Sequence, residues 1–139
     1  MKTKFILTAA LFLAFCGFAA AQEQPLTPEQ QEKKMRESIE EMVLNYEENL
    51  KLESWQTFYV DSILTHNIGA MNAEMQEFSR NRVENWDLYY IVQDKWSEET
   101  YNAFRKILND EQWASYLKSG AAKAKKARDK RAAKREGKK

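Results

Sequence analysis

The chain has 139 residues, 31% of them charged and 43% apolar, with a net charge of +1, one histidine and one cysteine. That length reads as one domain of about 100 residues behind a leader. A single cysteine excludes an intrachain disulfide, and one histidine with one cysteine leaves little from which to build a metal site.

The first residues read as an export signal. Lys2 and Lys4 precede an apolar run from Phe5 to Phe15, too short to span a bilayer, and Ala19-Ala20-Ala21 supplies the small residues of a cleavage site. The pattern predicts a signal peptide over 1–21, cut after Ala21, and a periplasmic product starting at Gln22. Leu13-Ala14-Phe15-Cys16 competes as a lipid-attachment site at Cys16, but bulky Phe15 stands where a small residue is expected. No later stretch is apolar enough for a membrane span, so a soluble product is expected.

Charge then separates along the chain. Residues 22–117 carry 19 acids and 9 bases, and residues 118–139 carry 11 bases and 2 acids. An acidic body is thus joined to a basic tail, and salt should weaken any attraction between them.

Glycine and proline are scarce after the leader, which argues against a sheet protein. The first predicted helix runs from Pro28 to about Leu50. Thr27 suits the N-cap, Pro28 the first helical position, and Gln30 can return a bond to the Thr27 amide. Met35, Ile39, Met42, Val43, Tyr46 and Leu50 form its apolar stripe. A second helix is predicted from Ser54, with Trp55, Phe58, Tyr59, Ile63, Met71, Met75 and Phe78 recurring at helical spacing and Val60, Leu64 and Ile68 widening the apolar face toward more than one neighbour. Gly69 lies within it, to be tolerated or to bend it.

A break is expected at 81–85 or at Ser97. The third helix carries Trp86, Tyr89, Tyr90, Gln93, Trp96, Tyr101, Phe104 and Ile107. Tyr89-Tyr90-Ile91-Val92 has strand propensity but no partner strand, so helix is retained. A fourth helix is predicted after Leu108, with Asn109 as cap and Gln112 at the third position. Gly120 ends or hinges it. The Ala/Lys/Arg tail has high helix propensity and no large apolar side chain, which predicts a solvated, fluctuating helix. The fold class is therefore all-α, an elongated bundle or hairpin of about four helices with a basic helical or disordered tail. Its boundaries are 1–21 signal, 22–117 helical domain and 118–139 tail.

Three Leu-x-x-x-Gln elements punctuate the helix starts: Leu26 to Gln30, Leu52 to Gln56, and Leu108 to Gln112. The first, Leu26-Thr27-Pro28-Glu29-Gln30, resembles the LTxxQ motif of the Spy/CpxP-like family of bacterial periplasmic stress proteins. The third is a near match with Asn109 in place of threonine. The second departs more, since Glu53 is a poor cap. The resemblance covers about Leu26 to Leu117 and omits the basic tail. It implies a long-helix hairpin that dimerises into a cradle. It also implies a protein that binds unfolded or misfolded envelope proteins without ATP, or dampens a stress sensor.

No nucleophile–base constellation or converging ligand cluster is present in the sequence, so no enzyme, metal or cofactor is expected. His66 is read as a surface or half-buried histidine, and pairs such as Glu40-Glu41 as solvated helix faces. Met71, Met75 and Phe78 are the candidate client contacts, because methionine adapts to varied apolar surfaces. Lys123, Lys125, Lys126, Arg128, Lys130, Arg131, Lys134 and Arg135 are the candidate electrostatic contacts. They point to anionic lipid, lipopolysaccharide, acidic clients, the acidic body itself or an envelope sensor. Export argues against a physiological nucleic-acid partner.

Overall fold

The computed structural model describes residues 25–137, all of whose regular structure is helical. The predicted signal peptide, its cleavage point and Cys16 lie outside the described residues. Helix α1 spans Pro28–Leu50, α2 Ser54–Arg80, α3 Trp86–Ile107, α4 Asp110–Tyr116 and α5 Ala122–Glu136. The bundle is all-α, as the helical spacing requires.

Local chemistry sets each boundary. At α1, Thr27 Oγ1 accepts from the Gln30 amide at 3.2 Å, and the Thr27 amide donates to Gln30 Oε1 at 3.0 Å. This reciprocal box covers two amides that the first turn leaves open. Lys51, in the left-handed region at φ 52°, stops the helix. After α2 the chain turns through residues 81–85, where Arg82 also takes φ 52°. Asn85 Oδ1 then accepts from the Asp87 amide at 3.0 Å and starts α3. Of the two expected breaks, the one at 81–85 exists, and α3 runs through Ser97 without interruption. Asn109 and Gln112 form a second complete box at α4. A wide π-type turn at Leu117–Ala121 follows, with Gly120 at φ 116°.

Helices α1, α2 and α3 pack as successive antiparallel hairpins. Asn72 on α2 reaches the Met35 sulfur on α1 at 3.2 Å. Asn67 donates to Thr100 Oγ1 at 2.9 Å, and Glu74 accepts from both Lys95 and Trp96 Nε1, joining α2 to α3. Ile39, Val43, Leu50, Val60, Leu64, Phe104, Leu108 and Tyr116 form one buried cluster, with Phe104 and Val60 fully enclosed. Aromatic rings tie its centre together: Tyr46 meets Phe104 edge-on at 5.2 Å, and Phe104 lies 5.3 Å from Tyr116. Such geometries add about 0.5–1.5 kcal/mol per pair beyond burial. Burial also pushes the Tyr46 and Tyr116 phenols up from their ordinary pKa.

Two expectations need correction. The buried stripe of α2 is Gln56, Val60, Leu64 and Asn67, so of the broad apolar face expected there the Val60–Leu64 side turns inward and the Trp55–Phe58–Tyr59 side does not. Trp55, Phe58 and Tyr59 are exposed, as are Trp86 and Tyr90 on α3. Polar Gln56 and Asn67 face inward because buried hydrogen bonds meet their amides, which apolar spacing alone does not register. The tail, expected as a solvated helix, is a helix laid antiparallel along α3. It buries no apolar stripe. Its inward side is charged, and Arg128 retains 8% of its accessible surface.

Candidate functional site

The motif glutamines carry the structural core of the molecule. Gln56 Nε2 donates to Gln112 Oε1 at 2.7 Å, and Gln112 Nε2 donates back to Gln56 Oε1 at 2.8 Å. Each second amide hydrogen goes to the backbone before the other helix: Gln56 to the Ile107 carbonyl at 2.9 Å, and Gln112 to the Lys51 carbonyl at 3.3 Å. Each Oε1 also accepts the amide of its own N-cap residue, Glu53 or Asn109. All four hydrogen-bonding positions of both side chains are filled. Leu108 is buried beside them and Leu52 packs on the same cluster. The outlying second element is therefore the partner of the third. The first element, Leu26 to Gln30, is exposed and acts as an ordinary helix cap.

The predicted client residues do not form one site. Met75 lines an open groove of about 640 Å³ between the start of α1 and the end of α2, together with Met35 and Gly69. Phe78 is turned to α3, edge-on to Tyr89 at 5.3 Å. Met71 is half-buried. A contiguous exposed aromatic surface lies at the start of α2, where Trp55, Phe58 and Tyr59 are 49%, 66% and 50% exposed. Their rings touch edge-on at 6.1 Å for Trp55–Tyr59 and 5.7 Å for Phe58–Tyr59. Trp55 Nε1 donates to Glu53 Oε2 at 2.7 Å, which fixes the indole on the surface. The trio faces outward because Gln56 and Val60, on the other side of this turn of the helix, are the residues that face the core.

The basic helix divides by residue type. Arg131 grips Asp94 with two bonds, at 2.9 and 2.6 Å, and Arg135 adds a third at 3.1 Å. Those guanidiniums hold the Asp94 carboxyl below its ordinary range, Arg131 contributing most, against the opposing effect of burial. Arg128 Nε donates to Glu98 at 3.2 Å. Its Nη2 stands 3.1 Å from the same oxygen without making a hydrogen bond, so that second contact is Coulombic. The Arg128 guanidinium also lies 5.6 Å from the Tyr101 ring. Lys125 reaches Glu98 at 3.2 Å. Lys123, Lys126, Lys130 and Lys134 face solvent.

His66 is exposed, with its ring 6.0 Å from Trp96. Among the described residues, no three His, Cys, Asp or Glu side chains converge as a metal would require, and no helix is long and apolar enough to cross a membrane. No protein-family profile, curated protein or solved structure matches this chain.

Proposed function

We propose that this protein is a non-enzymatic, ATP-independent holder of unfolded or misfolded proteins in the periplasm, of the Spy/CpxP-like kind that its helix-start motifs resemble. The observation that carries the reading is the exposed aromatic trio Trp55, Phe58 and Tyr59 on an acidic helical body. Contiguous exposed rings are costly in water and mark a surface that meets apolar partners. Their setting on one rigid helix, with no enclosing pocket, suits weak contacts with many sequences better than tight capture of one ligand. The Met35–Met75 groove offers a second adaptable apolar surface. Self-dimerisation into a cradle belongs to the same proposal.

Light scattering from two unrelated unfolding proteins tests it. The chain from Gln22 should suppress aggregation of both at near-stoichiometric amounts. The triple variant Trp55→Ser, Phe58→Ser, Tyr59→Ser should lose most of that effect while keeping its helical circular dichroism. Absence of suppression by the unaltered chain sinks the proposal. Full activity of the triple variant moves the client surface elsewhere.

A further inference from the structure

Helix α5 has two chemically different sides. Arg128, Arg131 and Arg135 turn toward α3 and are matched there by Glu98 and Asp94. Lys123, Lys126, Lys130 and Lys134 recur at steps of three, four and four, which puts them on the opposite side. All four are exposed, and among the described residues none is ion-paired. Over eleven residue steps the lysine row is about 16 Å long.

The C-terminal end of this row meets the first turns of α3. Tyr90 lies against α5 and lines a pocket of about 460 Å³ with Asp87, Arg131, Lys134 and Arg135, where three cations outweigh one carboxylate. Trp86, one turn earlier on the same side of α3, is 73% exposed, with its ring 5.4 Å from that of Tyr89. Taken alone, α5 has no apolar side and the start of α3 has no cationic one. Docking joins them into a single surface of lysines ending in the aromatic side chains of Tyr90 and Trp86.

We propose that this surface binds an anionic lipid bilayer, with Trp86 and Tyr90 entering the headgroup layer and the four lysines lying on the anionic headgroups. Indole and phenol rings favour that layer because one part of each is apolar and the other polar. Lysines near an anionic surface each strengthen binding about fivefold, an effect that falls away within a Debye length. The acidic body, with 19 acids against 9 bases over residues 22–117, is repelled by the same surface, so the molecule orients with α5 and the start of α3 downward. An acidic protein partner, including a second copy's acidic α1, would use the lysines but leave the exposed Trp86 cluster without a role. The bilayer uses both. This inference does not depend on client holding.

The test is vesicle co-sedimentation with Trp fluorescence, on the chain from Gln22, which contains every described residue. Residues 1–21 are omitted because their apolar run would bind bilayers by itself. Vesicles of phosphatidylcholine alone are compared with vesicles containing about one-third phosphatidylglycerol. Binding is expected only to the anionic vesicles, with a blue shift of emission and release by high salt. The variant Lys123→Gln, Lys126→Gln, Lys130→Gln, Lys134→Gln should bind at least about tenfold more weakly with unchanged circular dichroism, since these side chains touch no core. Trp86→Ser should weaken binding and diminish the blue shift. Equal binding to neutral vesicles, no binding, or binding indifferent to either substitution overturns the proposal. So does a change of oligomeric state in the lysine variant without a change in vesicle binding, which would assign the lysines to a second copy.

Discussion

The side-chain amides of Gln56 and Gln112 hold each other in a closed pair, 2.7 and 2.8 Å across, 56 residues apart in sequence. Each glutamine caps its own helix and bonds the backbone leading into the other helix, so the α1–α2 and α3–α4 connections are fastened to one another.

The pair should behave as a unit. Gln56→Ala leaves buried donors and acceptors of Gln112, Ile107 and Glu53 without partners, at an expected cost of about 2–3 kcal/mol, and Gln112→Ala should cost a similar amount. The double variant should fall short of the sum by about 1–2 kcal/mol, because the second substitution removes groups already stranded. Urea unfolding of the four chains measures this coupling. Additive costs would contradict it.

The two internal glycines should respond in opposite directions. At Gly69 an added Cβ meets nothing within 4 Å, and the backbone is helical. Gly69→Ala should therefore stabilise by about 0.5–1 kcal/mol. Gly120 at φ 116° also has open space around it, but an L side chain is strained in that backbone. Gly120→Ala should destabilise by about 1 kcal/mol or more, or loosen the docking of α5. Thermal melts separate the two.

Acid should release α5. The pKa of Asp94 is depressed below its ordinary 3.8, so its contribution to docking is fully present above that value and is lost as pH falls through the lower folded value. Backbone order parameters over residues 122–136 should be high at about pH 6 and fall only once the pH drops below the ordinary carboxylate range. Asp94→Asn should reproduce the loosening near neutrality, since the amide cannot hold two guanidiniums as the carboxylate does. The aromatic cluster around Phe104 should stay folded in that variant. An ordered α5 in Asp94→Asn would show that the Asp94 pairs are incidental and that Glu98 with Arg128 and Lys125 suffices.

Buried and exposed rings should differ sharply. Phe104 is fully enclosed between Tyr46 and Tyr116, so Phe104→Ala should cost about 3–5 kcal/mol. Phe58 is 66% exposed, so Phe58→Ala should change unfolding free energy by less than about 0.5 kcal/mol. Denaturant midpoints of the two variants compare them directly.

Helix starts were the most legible part of the sequence. Thr27 and Asn109 carry side-chain oxygens that can cover open amides, and Gln30 and Gln112 stand at the offset that completes a box; the Asn85 cap of α3 is not singled out by a break expected at 81–85 or at Ser97. Facing was less legible. Gln56 and Asn67 are polar by type and buried by partnership, and the partners Gln112 and Thr100 come from distant segments. Apolar spacing alone therefore gives α2 a broad face that includes Val60 and Leu64 but does not say which side of it is buried. The repeated Leu-x-x-x-Gln offset did signal a shared role for Gln56 and Gln112, but spacing alone does not bring the two amides together. Docking of the tail was similarly hidden, because its attraction depends on Asp94 and Glu98 sharing one side of α3.

The division of α5 into an arginine side and a lysine side makes its two charges chemically separable. Acylation of primary amines neutralises lysine and leaves guanidinium intact. Lys123, Lys126, Lys130 and Lys134 are open to such a reagent, while Lys125 is partly shielded by Glu98 and Asp129. Mild acylation would thus erase the outward charge of the helix and leave its arginine clasp on α3 closed.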